Sequence, residues 1–321
     1  MSFALIFPGQ GSQSVGMGRA LADEAAVARA VFEEVDEALG EKLSSVIFEG
    51  PEQTLTLTAN AQPALMAVSI AALRVLQERG LDLSAASYVA GHSLGEYSAL
   101  AAAGAIPLGE TARLLRIRGE AMQAAVQPGI GAMAAVMGLE AADLEAACAE
   151  AAEGEVCQIA NDNGGGQLVI SGHAGAVARA SKLAGERGAK RAILLPVSAP
   201  FHCALMAPAA ERMEAALAEA TVSAPKVPVV ANVLARPIGE PSEIRARLVE
   251  QVTGRVRWRE SMEFLAAEGV TTLLEVGSGK VLTGLARRID KTLSAHPVGA
   301  PGDVDAALAA IAAAPDTAAL K

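Results

Sequence analysis

The chain has 321 residues, of which 52% are hydrophobic and 19% are charged. This composition supports a large buried core and excludes disorder as the main state of the chain. Lys and Arg number 26 against 36 Asp and Glu, and the formal net charge of −10 argues against a nucleic-acid-binding protein.

The cysteines and histidines show no spacing that would predict a metal site or a disulfide framework. The three cysteines include no C-x-x-C pair, and the four histidines include no H-E-x-x-H segment. We therefore expect reduced thiols and no bound metal.

The sequence also argues against a membrane protein. Uninterrupted apolar runs, such as the one over 99–106, are far shorter than the roughly 18 to 20 residues that a membrane span needs. The N-terminus has no basic flank and contains a turn signal at Pro8-Gly9, which does not fit a signal peptide. A soluble, cytoplasmic protein is predicted.

The first third of the chain predicts a parallel α/β sheet. Apolar runs over 3–7 and 87–90 each end in turn residues and predict buried strands. Residues 59–79 and 94–103 have helical patterns, each ended by a glycine. Strand, glycine turn and helix in alternation are typical of a parallel sheet that helices cover on both faces.

Residues 128–197 have a different order of elements and predict a small inserted domain. The order is βαββαβ, that of a ferredoxin-like fold, with an Asn-Gly hairpin in the middle. Proline and glycine residues at both ends suit domain boundaries. The strands are predicted at 132–137, 156–160, 167–171 and 191–195, the helices at 141–152 and 174–187, and the turn at 161–166.

The remaining elements return to a larger domain, which we predict to comprise residues 1–127 and 198–321. Beyond Ala295 we expect a linker and a last helix, with frayed terminal residues. The fold class predicted is α/β, an α/β-hydrolase-like core with a mostly parallel sheet and the ferredoxin-like insert. Its further helices are predicted at 206–220, 242–251, 258–268 and 304–313, and its further strands at 227–232 and 272–276.

Gly91-His92-Ser93-Leu94-Gly95 is a G-x-S-x-G segment between a predicted strand and a predicted helix. In a nucleophile elbow, such a segment forms a strained turn that exposes the serine hydroxyl above the sheet. The helix that follows directs its N-terminal amides to the same place, where the Leu94 N–H can stabilise an oxyanion. A plain turn is the alternative, but the strand–turn–helix context favours Ser93 as a nucleophile.

A serine nucleophile needs a general base, and histidine has a pKa near the working pH. His202 lies where the chain returns from the insert to the core and is the candidate base, with a satisfied core histidine as the alternative. His92 is adjacent to Ser93 and is expected to pack against or orient its neighbours. His173 is expected to cap a helix, and His296 to be solvated in the C-terminal linker.

Arg118 lies on a predicted helix near Arg113 and Arg116. An arginine in this setting usually belongs to a solvated helix face. Directed into an apolar acyl pocket, its guanidinium would instead hold a substrate carboxylate through two hydrogen bonds.

Two glycine-rich segments fail as nucleotide sites. Residues 277–280 look like half of a P-loop, but Val281 replaces the Ser or Thr that would hold magnesium. Residues 9–11 begin a G-x-G pattern, but Ser14 occupies the position of the third glycine. No bound nucleotide cofactor is predicted.

Several segments, taken together with the G-x-S-x-G turn, follow one another in a characteristic order. They are Phe7-Pro8-Gly9-Gln10-Gly11-Ser12-Gln13, Gly91-His92-Ser93-Leu94-Gly95-Glu96-Tyr97, Arg118-Gly119, Gly131-Ala132-Met133, Pro200-Phe201-His202, Gln251, and Glu275-Val276-Gly277-Ser278-Gly279-Lys280-Val281-Leu282. In this combination the chain resembles the malonyl-CoA:acyl carrier protein transacylases of type II fatty acid synthesis, over essentially its whole length.

The resemblance implies a ping-pong acyl transfer. Ser93 would attack the malonyl thioester, and His202 would take its proton and later return it to the leaving thiol. In this family a main-chain or amide group orients the histidine, and the matching position is Gln251, which we count with Arg118 in the substrate site. A Ser–His dyad without an acid is therefore expected.

The resemblance also implies that the backbone amides of Gln10 and Leu94 form an oxyanion hole. Arg118 would hold the malonyl carboxylate, and an acetyl thioester would be disfavoured by a factor on the order of 10⁴ because it leaves that charge unpaired. Coenzyme A thioester is then a substrate, and no cofactor stays bound.

The second substrate that the resemblance implies is the phosphopantetheine thiol of holo acyl carrier protein, an acidic helical protein. Since this chain is itself negatively charged, a local basic patch would be needed to steer the carrier. The candidates are Lys190, Arg191, Arg287 and Arg288, and scattered solvated charges are the alternative. A monomer is expected because one chain contains every group that the mechanism needs.

Three other functions stay open on the sequence. An acyltransferase that serves a polyketide synthase in trans shares these motifs. A serine thioesterase or hydrolase needs no carboxylate clamp and usually carries an acidic triad member, so Arg118 and the missing acid argue against it. A non-catalytic module that binds carrier protein would have no physical reason to keep both Ser93 and His202.

Overall fold

A computed structural model describes residues 2–197 and 199–313 of the chain. The strands in this part are β1 (Phe3–Phe7), β2 (Tyr88–Gly91), β3 (Gly131–Met137), β4 (Cys157–Asp162), β5 (Gln167–His173), β6 (Arg191–Leu194), β7 (Val229–Ala231), β8 (Arg236–Ile238), β9 (Thr272–Val276) and β10 (Ser294–Val298). The helices are α1 (Arg19–Glu24), α2 (Ala26–Leu39), α3 (Leu43–Glu49), α4 (Glu52–Thr56), α5 (Thr58–Glu78), α6 (Gly95–Ala102), α7 (Leu108–Ala124), α8 (Ala141–Ala152), α9 (Ala174–Glu186), α10 (Ala207–Glu219), α11 (Pro241–Thr253), α12 (Trp258–Ala267), α13 (Val281–Ile289) and α14 (Pro301–Ala313).

The larger sheet has six strands in the order β10-β9-β1-β2-β7-β8. Neighbouring strands are parallel except at one edge, where β8 pairs antiparallel with β7. Every residue of β1 and β9 is buried, as expected for a parallel sheet that helices cover on both faces. The predicted α/β class with a mostly parallel sheet is confirmed.

Helix α5 is 21 residues long and, by length and composition alone, apolar enough to cross a membrane. The sequence expectation that no segment is long enough considered only uninterrupted apolar runs and was wrong for this helix. In the structure, 83% of its most apolar 18-residue window is buried inside the protein. Its apolar surface therefore belongs to the core, where it packs against α2 and α7.

The smaller sheet has four antiparallel strands in the order β4-β5-β3-β6. All four strands lie within the predicted insert, and their order is that of a ferredoxin-like fold. Side chains alternate between its two faces: Ala134 and Val136 pack in the core with α8 and α9, whereas Met133 and Ala135 line a cavity on the other face. The domain boundaries at 127/128 and 197/198 stay a prediction.

Two regions differ from the sequence expectation. The predicted linker beyond Ala295 is the edge strand β10, and His296 lies within it, with Nε2 at 2.9 Å from the Ser294 hydroxyl. Asn161 and Asp162, predicted as turn residues, end strand β4 after a bulge. Residues 314–321, where fraying was expected, lie outside the described residues.

Helix α13 was not predicted, and a buried carboxylate marks its start. Glu275, at 0% exposure, accepts hydrogen bonds from the backbone N–H groups of Leu282 and Thr283 at 3.0 and 2.6 Å. An anion is favourable there because the first amides of a helix have no intrahelical partner. The Glu275–Leu282 segment therefore builds a strand–turn–helix junction and no phosphate loop.

Polar contacts join the two sheets beside the cavity. Asn161 at the end of β4 bridges to Val256 of the larger domain. Asp162 accepts a hydrogen bond from Nε of Arg259 at 2.9 Å. These contacts, made by one end of β4, fix the small sheet over the carboxyl end of the parallel sheet, which is where open α/β sheets bind ligands.

Candidate active site

Ser93 stands on a sharp turn between β2 and α6, with a backbone φ of 54°. Glycine is required on both sides of the turn. A Cβ on Gly91 would lie 1.9 Å from the Gly95 carbonyl oxygen, and a Cβ on Gly95 would lie 2.3 Å from the Phe7 carbonyl oxygen. This tight strand–turn–helix geometry is that of a nucleophile elbow.

His202 faces the elbow, with Nε2 at 2.8 Å from Oγ of Ser93. On its other side, Nδ1 lies 2.9 Å from the carbonyl oxygen of Gln251 and 3.2 Å from that of Gly254. Carbonyl oxygens only accept hydrogen bonds. Nδ1 is therefore the protonated nitrogen, and Nε2 is free to accept the serine proton.

Burial and the positive charge of Arg118 lower the pKa of His202 to about 3. The imidazole is thus neutral at physiological pH. In the part of the chain that the structure describes, no carboxylate contacts either ring nitrogen. Main-chain carbonyls orient the histidine where an aspartate does so in a Ser-His-Asp triad.

Arg118 comes from α7 and is only 1% exposed. It donates hydrogen bonds to Oε1 of Gln62 at 2.7 Å, to Oε1 of Gln251 at 2.8 Å and to Oγ of Ser93 at 3.1 Å. This buried position excludes the solvated helix face that was the alternative from sequence. The guanidinium lies beside the serine hydroxyl, within reach of an acyl group carried on it.

Two residues that the sequence analysis did not single out hold the elbow in place. Asn232 accepts the Ser93 N–H at 2.7 Å and donates to the Gly91 carbonyl at 2.7 Å. Glu96 accepts the Asn232 N–H at 3.0 Å and Nε2 of Gln251 at 2.7 Å. Asn232 directly follows a sheet strand at its carboxyl end, and this position was the available sequence signal.

A cavity of about 410 Å³ opens in front of Ser93, between the two sheets. Apolar side chains from the small sheet and from the loop that precedes His202 form much of its wall. Arg118 contributes a positive charge to the cavity, and His202 contributes the candidate base. Its other lining residues include Gln10, Gln62, His92, Leu94, Met122, Met133, Asn163, Val169 and Phe201.

Gln10 and Leu94 both line this cavity. Leu94 occupies the N-cap position of α6. Neither backbone amide donates a hydrogen bond within residues 2–197 and 199–313. Two unpaired amides beside a nucleophile can stabilise an oxyanion.

The structure does not place every predicted site residue at the cavity. The Gln251 side chain is at 0% exposure behind Arg118 and is not part of the cavity wall. The four basic residues of the predicted carrier-protein patch are exposed and also lie outside the cavity wall. They are Lys190, Arg191, Arg287 and Arg288.

The other histidines have defined partners. Nε2 of His92 lies 2.9 Å from Oδ1 of Asn163 in the small sheet, which ties the elbow to the insert, and burial lowers its pKa. His173 occupies the N-cap position of α9 but makes no side-chain cap; its Nδ1 accepts the Val156 N–H at 2.9 Å, so the predicted capping role is wrong. Over the described ranges, no group of three His, Cys, Asp or Glu side chains could hold a metal ion.

Comparison with known proteins adds to this geometry. Residues 4–299 match the acyl transferase domain family. The chain is 48% identical over 306 residues to the malonyl CoA-acyl carrier protein transacylase of Salmonella typhimurium, covering 95% of this chain and 98% of the relative.

Solved structures agree with the sequence comparison. An acyl-carrier-protein S-malonyltransferase from Bartonella henselae superposes with a TM-score of 0.95 at 60% identity, covering 97% of this chain and 100% of that one. A malonyl-transacylase solved in complex with its type II polyketide acyl-carrier protein superposes with a TM-score of 0.94 at 44% identity, covering 97% and 100%. The chain therefore belongs to the acyl transferase family, among the malonyl CoA-acyl carrier protein transacylases.

Proposed function

We propose that the enzyme transfers malonyl from malonyl-CoA to the phosphopantetheine thiol of holo acyl carrier protein by a ping-pong reaction with a malonyl-Ser93 intermediate. The observation that carries this proposal is the 2.8 Å contact between Oγ of Ser93 and the neutral Nε2 of His202, with Arg118 alongside. The product supplies extender units for fatty acid synthesis.

In the first half-reaction, His202 Nε2 takes the hydroxyl proton as Ser93 Oγ bonds to the thioester carbonyl carbon. The negative charge moves to the carbonyl oxygen, where the amides of Gln10 and Leu94 donate to it. When the C–S bond breaks, the coenzyme A sulfur leaves with the proton that His202 held. The serine ester remains.

The second half-reaction repeats these steps with another thiol. His202 takes the proton of the carrier's phosphopantetheine thiol, and the sulfur attacks the ester carbonyl of malonyl-Ser93. The C–O bond breaks, and Oγ of Ser93 recovers the proton from His202. The reaction needs no bound cofactor, because coenzyme A enters and leaves as part of a substrate.

Arg118 accounts for the choice of malonyl. A malonyl group on Ser93 carries a carboxylate, and the buried guanidinium beside Oγ can pair with it through charge-assisted hydrogen bonds. An acetyl group leaves that buried charge without a substrate partner. The same reasoning disfavours a simple hydrolase, which has no need for the clamp.

The basic residues beside the small sheet form a surface suited to an acidic carrier. Arg191 pairs with Met137 across strands β6 and β3, Lys190 packs over Gly138, and Arg288 packs over Gly165 at the hairpin turn. Arg287 adjoins Arg288 in α13, but its guanidinium donates to the Ala295 carbonyl of β10 at 3.4 Å, on the larger sheet. No carboxylate pairs with any of the four among the described residues. We assign these four residues to carrier docking by a monomeric, cytoplasmic enzyme.

A polyketide carrier is the second candidate acceptor. The likeness to a malonyl-transacylase solved with its type II polyketide acyl-carrier protein favours it. The chemistry at Ser93 would be the same, and only the docked carrier would differ.

The test is intact-protein mass spectrometry after brief exposure to malonyl-CoA or acetyl-CoA. We expect a malonyl adduct on the wild-type enzyme that is absent from Ser93→Ala and is discharged by holo carrier protein faster than by water. Arg118→Ala should lose the preference for malonyl over acetyl. Steady coenzyme A release without an adduct would favour a hydrolase, and no reaction at all would favour a binding module.

A further inference from the structure

Glu96 is a buried carboxylate that takes no part in the proposed chemical steps. It lies in the first turn of α6, and its side chain is at 0% exposure. Its Oε2 accepts two hydrogen bonds, whereas its Oε1 is buried with no partner among the described residues. Burying a carboxylate without a paired cation is unfavourable, and the Glu96 carboxylate therefore lowers the stability of the fold unless its contacts compensate.

The Glu96 carboxylate and the Ser93 carbonyl together fix which way the amide of Gln251 faces, because Nε2 of Gln251 donates to both, at 2.7 and 3.0 Å. Burial raises the pKa of Glu96 to about 7, but its Oε2 accepts hydrogen bonds whether or not Oε1 carries a proton. Gln251 therefore turns Nε2 toward Glu96 and Oε1 toward Arg118. With the amide reversed, its NH₂ group would face the guanidinium, and two donors cannot pair. The Asn232 N–H donates to the same carboxylate oxygen and keeps that position an acceptor.

Two further hydrogen bonds connect the Gln251 amide to the nucleophile, Ser93, through Arg118. Gln251 Oε1 receives a hydrogen bond from Arg118 at 2.8 Å. The same guanidinium nitrogen donates to Oγ of Ser93 at 3.1 Å. The position of the Arg118 guanidinium therefore depends on Glu96 through the side-chain amide of Gln251.

We propose that Glu96 is a positioning residue for substrate selection. By accepting Nε2 of Gln251, it holds Oε1 of Gln251, and through it Arg118, where the guanidinium can receive the malonyl carboxylate. This proposal rests on the proposed function, because the clamp is part of that function.

The general base does not depend on the same side chain. His202 donates to the main-chain oxygen of Gln251, which belongs to helix α11. The amide of Ser93 is held by Asn232, whose own carbonyl is fixed by the Arg257 N–H. Withdrawing the Glu96 carboxylate also loosens the main chain of Ser93, through Asn232 and Gln251, and this slows both acyl donors alike. The displacement of Arg118 affects malonyl alone, so the malonyl-to-acetyl ratio isolates it.

Two conservative substitutions separate the accepting oxygen from the charge. Glu96→Gln removes the charge and keeps an oxygen in place, because the Asn232 N–H requires an acceptor there. Glu96→Asp keeps the charge and withdraws the oxygens by about one C–C bond, roughly 1.5 Å. Ser98→Ala is the control, since Ser98 is a buried residue of the same helix whose hydroxyl has no partner in the described structure.

The measurement is the acylation rate constant with malonyl-CoA and with acetyl-CoA, from rapid quench and intact-protein mass spectrometry. For Glu96→Asp we expect malonyl acylation to fall by about 10- to 100-fold and acetyl acylation by clearly less, because acetyl has no carboxylate to place. Glu96→Gln and Ser98→Ala should keep the malonyl-to-acetyl ratio within about threefold of the wild-type value.

A ratio that stays at the wild-type value in Glu96→Asp would overturn the proposal, as would a loss in Glu96→Gln equal to that in Glu96→Asp. Both results are distinct from a failure of the proposed function. In that case the wild-type enzyme itself would form no malonyl adduct.

Discussion

Ser93 and His202 both have backbone φ angles in the left-handed region, at 54° and 57°. A side-chain-bearing residue in this region costs about 1–3 kcal/mol. Hydrogen bonds hold the strained serine at both of its main-chain groups. Its N–H donates to Oδ1 of Asn232, and its carbonyl accepts from Nε2 of Gln251. Glu153 and Ala235 also have left-handed φ angles, but of these four described residues only Ser93 and His202 line the cavity.

The pH dependence of acylation should reflect the environment of His202. Because burial and the charge of Arg118 lower its pKa to about 3, the imidazole stays neutral and able to accept a proton over roughly pH 5 to 8. Glu96, whose pKa burial raises to about 7, titrates in this range, but its Oε2 accepts from Asn232 and Gln251 in either protonation state. We therefore expect a nearly constant rate constant over that range. Stopped-flow measurement of coenzyme A release, with acetyl-CoA beside malonyl-CoA, checks this, since acetyl adds no titrating carboxylate.

A fall in rate toward low pH with a midpoint near the ordinary histidine pKa of 6.5, seen with both substrates, would contradict this expectation.

Unlike the rate, the stability of the fold should depend on the protonation of His202. The unfolded histidine binds a proton below its ordinary pKa, whereas the folded one does not, so the free energy of unfolding should decrease as the pH falls from about 6.5 toward 3.

At the scale of elements, the elbow leaves no room for a side chain at its two glycines. Gly95→Ala would put a methyl group 2.3 Å from a main-chain oxygen of β1, which cannot move without breaking the sheet. We expect the free energy of unfolding to fall by about 3 kcal/mol or more, since this is an overpacking change against backbone. Urea unfolding followed by circular dichroism measures it.

The control is Gly284→Ala, a glycine within α13 with no atom within 4 Å of its added Cβ. There alanine should stabilise the helix by up to about 1 kcal/mol. Equal effects of the two substitutions would show that the elbow does not need a glycine at position 95.

Elements with strong local patterns could be predicted from the sequence. Strand β9 and helix α8 have the predicted bounds because their apolar periodicity and glycine ends are local signals. Strand β10 was missed because it is a polar edge strand with His296 and Pro297, paired on one side only by β9. The start of α13 was missed because its capping acid, Glu275, lies in the preceding strand.

At the scale of the whole molecule, the cavity exists only because the insert closes over the larger sheet. The sequence could indicate Ser93, His202 and Arg118, with the resemblance, as site residues. It could not indicate the Glu96 network, because the partners of Glu96 are 136 and 155 residues away along the chain. Which polar side chains meet beneath the elbow is decided by the packing of distant segments.

The proposed docking surface for the carrier also draws its basic residues from two distant segments, the insert and α13. Arg288 packs against the hairpin of the insert at Gly165, and Lys190 packs against the insert at Gly138. Arg288→Glu should raise KM for holo carrier protein by about 3- to 10-fold at low salt and leave acylation by malonyl-CoA unchanged. Half-reaction kinetics at two salt concentrations measure both effects.

Lys182→Glu is the matched control, because it changes the net charge equally on the exposed face of α9, where Lys182 pairs with Glu186. If docking depends on local charge, only Arg288→Glu should weaken carrier binding, and added salt should reduce the difference from wild type. An equal rise in KM for both variants would point to the overall charge of the enzyme. A slower acylation half-reaction in Arg288→Glu would assign the residue to the phosphates of coenzyme A, because the carrier is absent from that step.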